Sequence, residues 1–177
     1  MGKNRTDGII VPPRSKGNIE AHANLLREVL GLKDRNYFPV MQAYEAISLI
    51  FPGGDFEVRT MQEMGDDHGR TYPDSKRIYI REDVYEQAHE GRGRDRFTMC
   101  HELGHLMLHR GVALSRIDPR NPPKIYRNSE WQADTFASYL MMPTTAIAPY
   151  TSVTSVAKDF GTSLEAAAAR RGEMKSA

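Results

Sequence analysis

Apolar residues recur at helical spacing in some stretches of this chain and alternate in others, and that division lays out its elements. Between Ile19 and Leu30, the residues Leu25, Leu26, Val29 and Leu30 follow helical spacing, with Asn18 placed as a cap. Pro39 opens a second helix over Val40–Phe51, which Pro52-Gly53-Gly54 stops. Phe56–Met61 alternates as a strand; Arg70–Tyr72 and Arg77–Ile80 follow across the turn-rich stretch Gly65–Gly69. A short helix fits residues 82–88, and Gly91–Gly93 breaks the chain before a helix over Phe97–His109. Ala133, Phe136, Ala137 and Leu140 form the apolar stripe of a helix that begins near Ser129. The last stretch, residues 152–171, reads as two helices joined at Gly161, with Ser163 at the start of the second. Residues 1–17 are basic, carry Pro12-Pro13 and show no period, so they are expected to form a flexible arm. The expected fold is α+β: a mostly helical single domain over 18–177, a small antiparallel sheet ahead of the 97–109 helix, and the C-terminal helix pair packed on it.

The chemistry sits in the 97–109 helix, where residues 101–105 read His-Glu-Leu-Gly-His. Positions four apart lie on one helix face, so His101 and His105 can close on one metal ion. Glu102 lies about 100° around the axis, where it can meet a water on that metal as general base. Thr98, His101, Glu102, His105 and His109 share one side of the helix; Met99, Cys100, Leu103, Leu106 and Met107 share the other. Gly104 costs the helix about 1 kcal/mol relative to alanine, which close approach of another backbone would explain.

A catalytic zinc takes three protein ligands and leaves one position open. His109 lies about 12 Å along the axis from His101, too far to share its metal. Position 108 is Leu and position 111 is Gly, so the extended H-E-x-x-H-x-x-G-x-x-H pattern is also absent. The third ligand must come from another element. Glu130 is favoured, because Asp134 lies one turn on and can hold a histidine N–H while Glu130 takes the metal. An ordinary solvated acidic helix edge is the plain alternative, and Asp118, in a proline-rich loop, is a weaker rival.

Phe97–His109, then Glu130-x-x-Ala133-Asp134-x-Phe136-Ala137 and Leu140-Met141-Met142-Pro143, together resemble the ImmA/IrrE-type metallopeptidases, a gluzincin-like family of bacterial and mobile-element proteins. The resemblance spans residues 40–171. It implies a zincin-like fold, zinc held by His101, His105 and Glu130, a catalytic Glu102, and Asp134 as the outer partner of a ligand. It further implies a substrate class, XRE-type helix-turn-helix repressors cut once to relieve repression, and with it roles in transcriptional regulation and stress response. Cys100 departs from the small residues common at that position in similar proteins; on the packing side of its helix it reads as core.

Composition adds limits. At 177 residues the chain can bury a real core, and a net charge of +1 gives no global case for nucleic acid or membrane. One cysteine excludes an internal disulfide. No run reaches membrane-spanning length, and Ile9-Ile10-Val11 is too short for a signal peptide core, so a cytoplasmic protein is expected. The N-terminal Met-Gly-x-x-x-Thr fits the myristoylation pattern, a coincidence if the protein is bacterial.

The expected mechanism is attack of zinc-activated water on a peptide carbonyl, with Glu102 moving the proton and Asp134 orienting His101. Tyr126, Arg127 and His109 are candidate oxyanion donors by proximity alone. The proline-bearing loop Gly111–Tyr126 is expected to line the substrate cleft. Two other readings stay open: a non-catalytic zinc-binding adaptor or antitoxin-like partner that sequesters a repressor, and DNA binding through the C-terminal helices. Few arginines and much alanine in the last helix argue against direct nucleic-acid binding.

Overall fold

The computed structural model describes residues 8–113 and 115–175. Strand β1 (Ile9–Ile10) leads into α1 (Lys16–Val29), α2 (Val40–Glu45) and α3 (Ile47–Ile50). Then come β2 (Asp55–Arg59), α4 (Met61–Met64), β3 (Gly69–Tyr72), β4 (Arg77–Arg81), α5 (Glu82–His89) and α6 (Gly93–Leu108). After β5 (Ser115–Arg116) and a 3-10 turn at Ile125–Arg127 come α7 (Ser129–Met141), α8 (Thr144–Ile147), α9 (Val153–Phe160) and α10 (Leu164–Lys175). The class is α+β, as the spacing predicts.

The core is built on α1, α6 and α7, with Ile19, Leu26, Met99, Leu103, Leu106, Phe136 and Leu140 buried between them and the sheet. Gly104 explains itself here: a Cβ on it would come 3.1 Å from both Cα and O of Ala133, so α6 and α7 cross with their backbones nearly touching. Cys100 is fully buried in this core, and burial pushes its thiol up to about 12, so it stays protonated and inert.

Three expectations are corrected. The sheet ahead of α6 is mixed, not antiparallel: its order is β2-β4-β3, with β3 antiparallel and β2 parallel to β4. The chain reverses twice between β2 and β4, and alternation of side chains carries no information about strand direction. The flexible arm expected over residues 1–17 gives way over 8–17, while residues 1–7 lie outside the described residues. There β1 pairs with β5, Val11 N–H donates to Arg127 O at 2.9 Å, Val11 is buried, and α1 starts at Lys16 under a Ser15 cap, not at Asn18. A two-residue strand bonded to a partner about a hundred positions away leaves no periodic trace in sequence. Thr60 and Glu63 form a reciprocal capping box that ends β2 early and starts α4, where alternation had extended the strand to Met61.

The C-terminal pair α9–α10 is hinged on Gly161 in the left-handed region (φ 61°), and Ser163 caps α10 by accepting from Ala166 N–H at 3.1 Å. Its joint docks on α6. Arg96 donates to Phe38 O at 2.6 Å and to Gly161 O, and stacks 3.8 Å from the Tyr37 ring. Arg170 and Arg171, the cations a DNA-reading helix would offer, donate instead to Met142 O, Thr144 Oγ1 and Tyr150 O.

Candidate metal centre

Local folding places each donor. His101 and His105 stand one turn apart on the buried middle of α6. Glu130 lies in the first turn of α7, whose Asn128 cap accepts from Trp131 N–H at 3.0 Å; a helix N-terminus favours a negative charge there. The Gly104–Ala133 crossing then sets Glu130 against both histidines. Nε2 of His101 and Nε2 of His105 are 3.0 Å apart, and Glu130 oxygens lie 3.4 and 3.3 Å from them. The three side chains converge as one group able to hold a metal ion, and it is the one such group among the described residues. Asp118, the rival, is turned to Arg120 in its own loop.

The rings are held from behind. Asp134 Oδ1 accepts from His101 Nδ1 at 2.7 Å. His105 Nδ1 meets His109 Nδ1 at 3.0 Å, and His109 Nε2 meets Gln132 Oε1 at 3.1 Å. His109 is therefore turned away from the donor cluster, and its engagement on both ring nitrogens removes it as an oxyanion donor. Burial, then the neighbouring His105, push His109 down to about 3, so it is neutral. Burial alone would lower His101, but its bonds to Asp134 and Glu130 outweigh that and bring it to about 9. Glu130 is pulled upward by burial and held far below the carboxylate range by His101 and His105. A proton and a metal would compete for the same histidine lone pairs, so metal binding here is expected to weaken as pH falls.

Glu102 is positioned by the sheet, a contact that no local pattern in the chain marks. The Thr71 hydroxyl on β3 donates to Glu102 Oε2 at 2.6 Å. Gly69, on the same strand, leaves room for the other oxygen: a Cβ there would come 2.8 Å from Oε1 and 2.7 Å from Cγ. Gly69→Ala is expected to fold normally, since the end of a side chain can shift, and to keep its metal. Displacing Glu102 by a fraction of an ångström to 1 Å should cost up to about 100-fold in turnover. Steady-state rates beside metal content check this; a wild-type rate would show that the position of Glu102 is not critical.

His101, Glu102 and Asp134 open onto a cleft of about 790 Å³ between the start of β3, the exposed side of α6, α7 and α10. The loop Gly111–Tyr126 does not line it among the described residues, contrary to expectation. Ile125 and Tyr126 instead line a separate hollow of about 430 Å³ with Pro13 and Arg14, and Trp131 borders both. Tyr126 and Arg127 are therefore no better candidates for the oxyanion than their place in sequence made them.

Two histidines and a glutamate on one helix, joined by Glu130 from the next, define a metallopeptidase-type domain. The chain belongs to the Peptidase M78 family, whose IrrE N-terminal-like domain matches residues 54–171. No curated protein matches it. A Mycobacterium tuberculosis transcriptional regulator shares the fold with a TM-score of 0.59 at 13% identity, over 88% of this chain and 46% of that one. This chain thus spans less than half the length of that regulator, and at such identity the likeness concerns fold alone. No helix among the described residues is long and apolar enough to cross a membrane.

A metal bound across α6 and α7 would stabilise the fold by linkage. At a free metal concentration about 100 times Kd the gain is about 2.7 kcal/mol, about 5–10 °C for a domain of this size. Chelation is expected to lower the melting temperature by that amount, reversibly. An unchanged melting curve for metal-loaded protein after chelation would contradict a metal held between these helices.

Proposed function

We propose that the protein is a zinc-dependent endopeptidase that makes a site-specific cut in a helix-turn-helix transcriptional repressor of the XRE type. The observation that carries the catalytic reading is the placement of Glu102. It lies beside the His101–His105–Glu130 group, is held by Thr71, and opens on the cleft. A purely structural metal site has no use for a carboxylate kept ready there.

Two imidazoles and one carboxylate are a donor set that suits zinc with a position left open. Zinc in that set would lower the pKa of a water toward about 7 and polarise the scissile carbonyl. Glu102 takes the proton of the attacking water as its oxygen bonds to the carbonyl carbon. It then delivers that proton to the amine nitrogen as the carbon–nitrogen bond breaks. Asp134 keeps the Nδ1–H of His101 engaged and so leaves its Nε2 lone pair for the metal. The outer strand β3, which carries Gly69 and Thr71, is the natural edge for an extended substrate backbone to join as an added strand.

The repressor as substrate is supported by the family and by the fold-level likeness to a protein described as a transcriptional regulator. A cytoplasmic place of action goes with that substrate. The test is intact-mass analysis of a helix-turn-helix repressor encoded beside this protein, after incubation with zinc-loaded wild type and with Glu102→Gln. One clipped product with wild type alone is expected. A repressor that co-purifies uncut with both forms would replace this reading with a sequestering adaptor.

A further inference from the structure

Gln132 is completely buried on α7 and engages three partners. Its Nε2 donates to Pro12 O at 2.9 Å and to Tyr126 O at 2.8 Å, while its Oε1 faces His109 Nε2 at 3.1 Å. An amide nitrogen only donates, so the two carbonyls fix which end of the amide is which, and Oε1 must meet a donor. His109 Nε2 therefore carries a hydrogen. With the Nε2 lone pair of His105 given to the metal, His105 Nδ1 carries the hydrogen of the 3.0 Å contact, and His109 Nδ1 is its acceptor. His105 Nε2 is the atom turned to His101 and Glu130.

The far end of this relay is fixed backbone. Residues 8–14 run as a strap across the start of α7: Ile9 N–H donates to Ser129 Oγ at 3.0 Å, and Arg14 N–H to Tyr126 O at 3.1 Å. Gly8 (φ 93°) lies so close to Glu130 that a Cβ on it would come 2.7 Å from Glu130 Cγ. The strap lies outside residues 54–171, where the family match runs. The two histidines are thus held differently. Asp134, a partly exposed acid, holds His101; a buried neutral chain ending on the strap holds His105.

We infer that His109 and Gln132 are positioning residues of the metal centre that lock His105 in its metal-binding tautomer, with the strap of residues 8–14 as their anchor. This rests on the reading of His105 as a ligand. The test measures zinc affinity of the full chain by competition with a chromophoric chelator, for wild type, Gln132→Leu and His109→Phe. Each variant should bind about 10–100-fold more weakly, the range set by loss of a ligand's outer partner. Their zinc-free melting temperatures should fall by a few degrees, because each substitution removes hydrogen bonds of a buried side chain, those to Pro12 O and Tyr126 O among them in Gln132→Leu. Affinity is therefore read at a temperature where both variants are folded. If wild type binds zinc and both variants match it, the relay is overturned and the metal centre stands. If wild type itself binds none, the metal reading fails first. Where a variant does not fold, long-range proton–nitrogen spectra of zinc-loaded, histidine-labelled wild type decide. Hydrogen on His109 Nε2 and none on its Nδ1 is expected, and hydrogen on Nδ1 would overturn the relay. In Gln132→Leu that single tautomer should give way to a mixture, a change that loss of packing alone does not produce.

Discussion

Glu102→Gln is expected to keep its metal and lose about 10²–10⁴-fold in turnover, the range that general acid–base groups supply. Glutamine has the same shape and can still accept from the Thr71 hydroxyl, which lies 2.6 Å from Oε2. Gly69 leaves the space for its other atom, so neither strand nor helix needs to move. The donor atoms of His101, His105 and Glu130 are untouched. What changes is one property: an amide does not take a proton from water. Metal content by mass spectrometry and cleavage rate, measured on one preparation, separate the two effects. Full occupancy with a wild-type rate would remove Glu102 from the chemistry.

Glu130→Ala is expected to do the reverse and lose the metal itself. Its carboxylate reaches both histidines, at 3.4 and 3.3 Å, and supplies the only negative charge in the donor group. Alanine leaves two neutral imidazoles on one helix and nothing joining α6 to α7 through the ion. The affinity loss should exceed the about 10–100-fold that Asp134→Asn costs, because Asp134 only orients a ring whose nitrogen remains. Turnover should fall in step with occupancy, and adding metal should restore Asp134→Asn more readily than Glu130→Ala. Equal affinities for the two variants would place the third ligand elsewhere.

What could be read in advance depended on how local the signal was. The pairing of His101 with His105 is a property of one helix, and Glu130 with Asp134 is a property of another, so spacing alone picked out the residues the fold brings together. Gly104 was legible too, because glycine inside a helix that packs on a neighbour has a limited set of explanations. The capping box at Thr60 carries its own signature, against an alternating pattern that runs past Arg59, the end of β2, to Met61. Nothing local marked Thr71 or Gly69, since their meaning comes from β3 lying against α6. His109 was visible as a histidine on the right face but not as the partner of His105, because that role depends on Gln132 and, through it, on Pro12. The direction of β2 and the seating of residues 8–17 were likewise set by distant partners.

One measurement tests the central claim directly: diffraction from a zinc-soaked crystal, with data on both sides of the zinc absorption edge. A single anomalous peak among Nε2 of His101, Nε2 of His105 and the carboxylate of Glu130, absent in Glu130→Ala, is the expected result. A peak elsewhere in the molecule, or one that survives unmoved in that variant, would contradict a metal centre built from these three side chains.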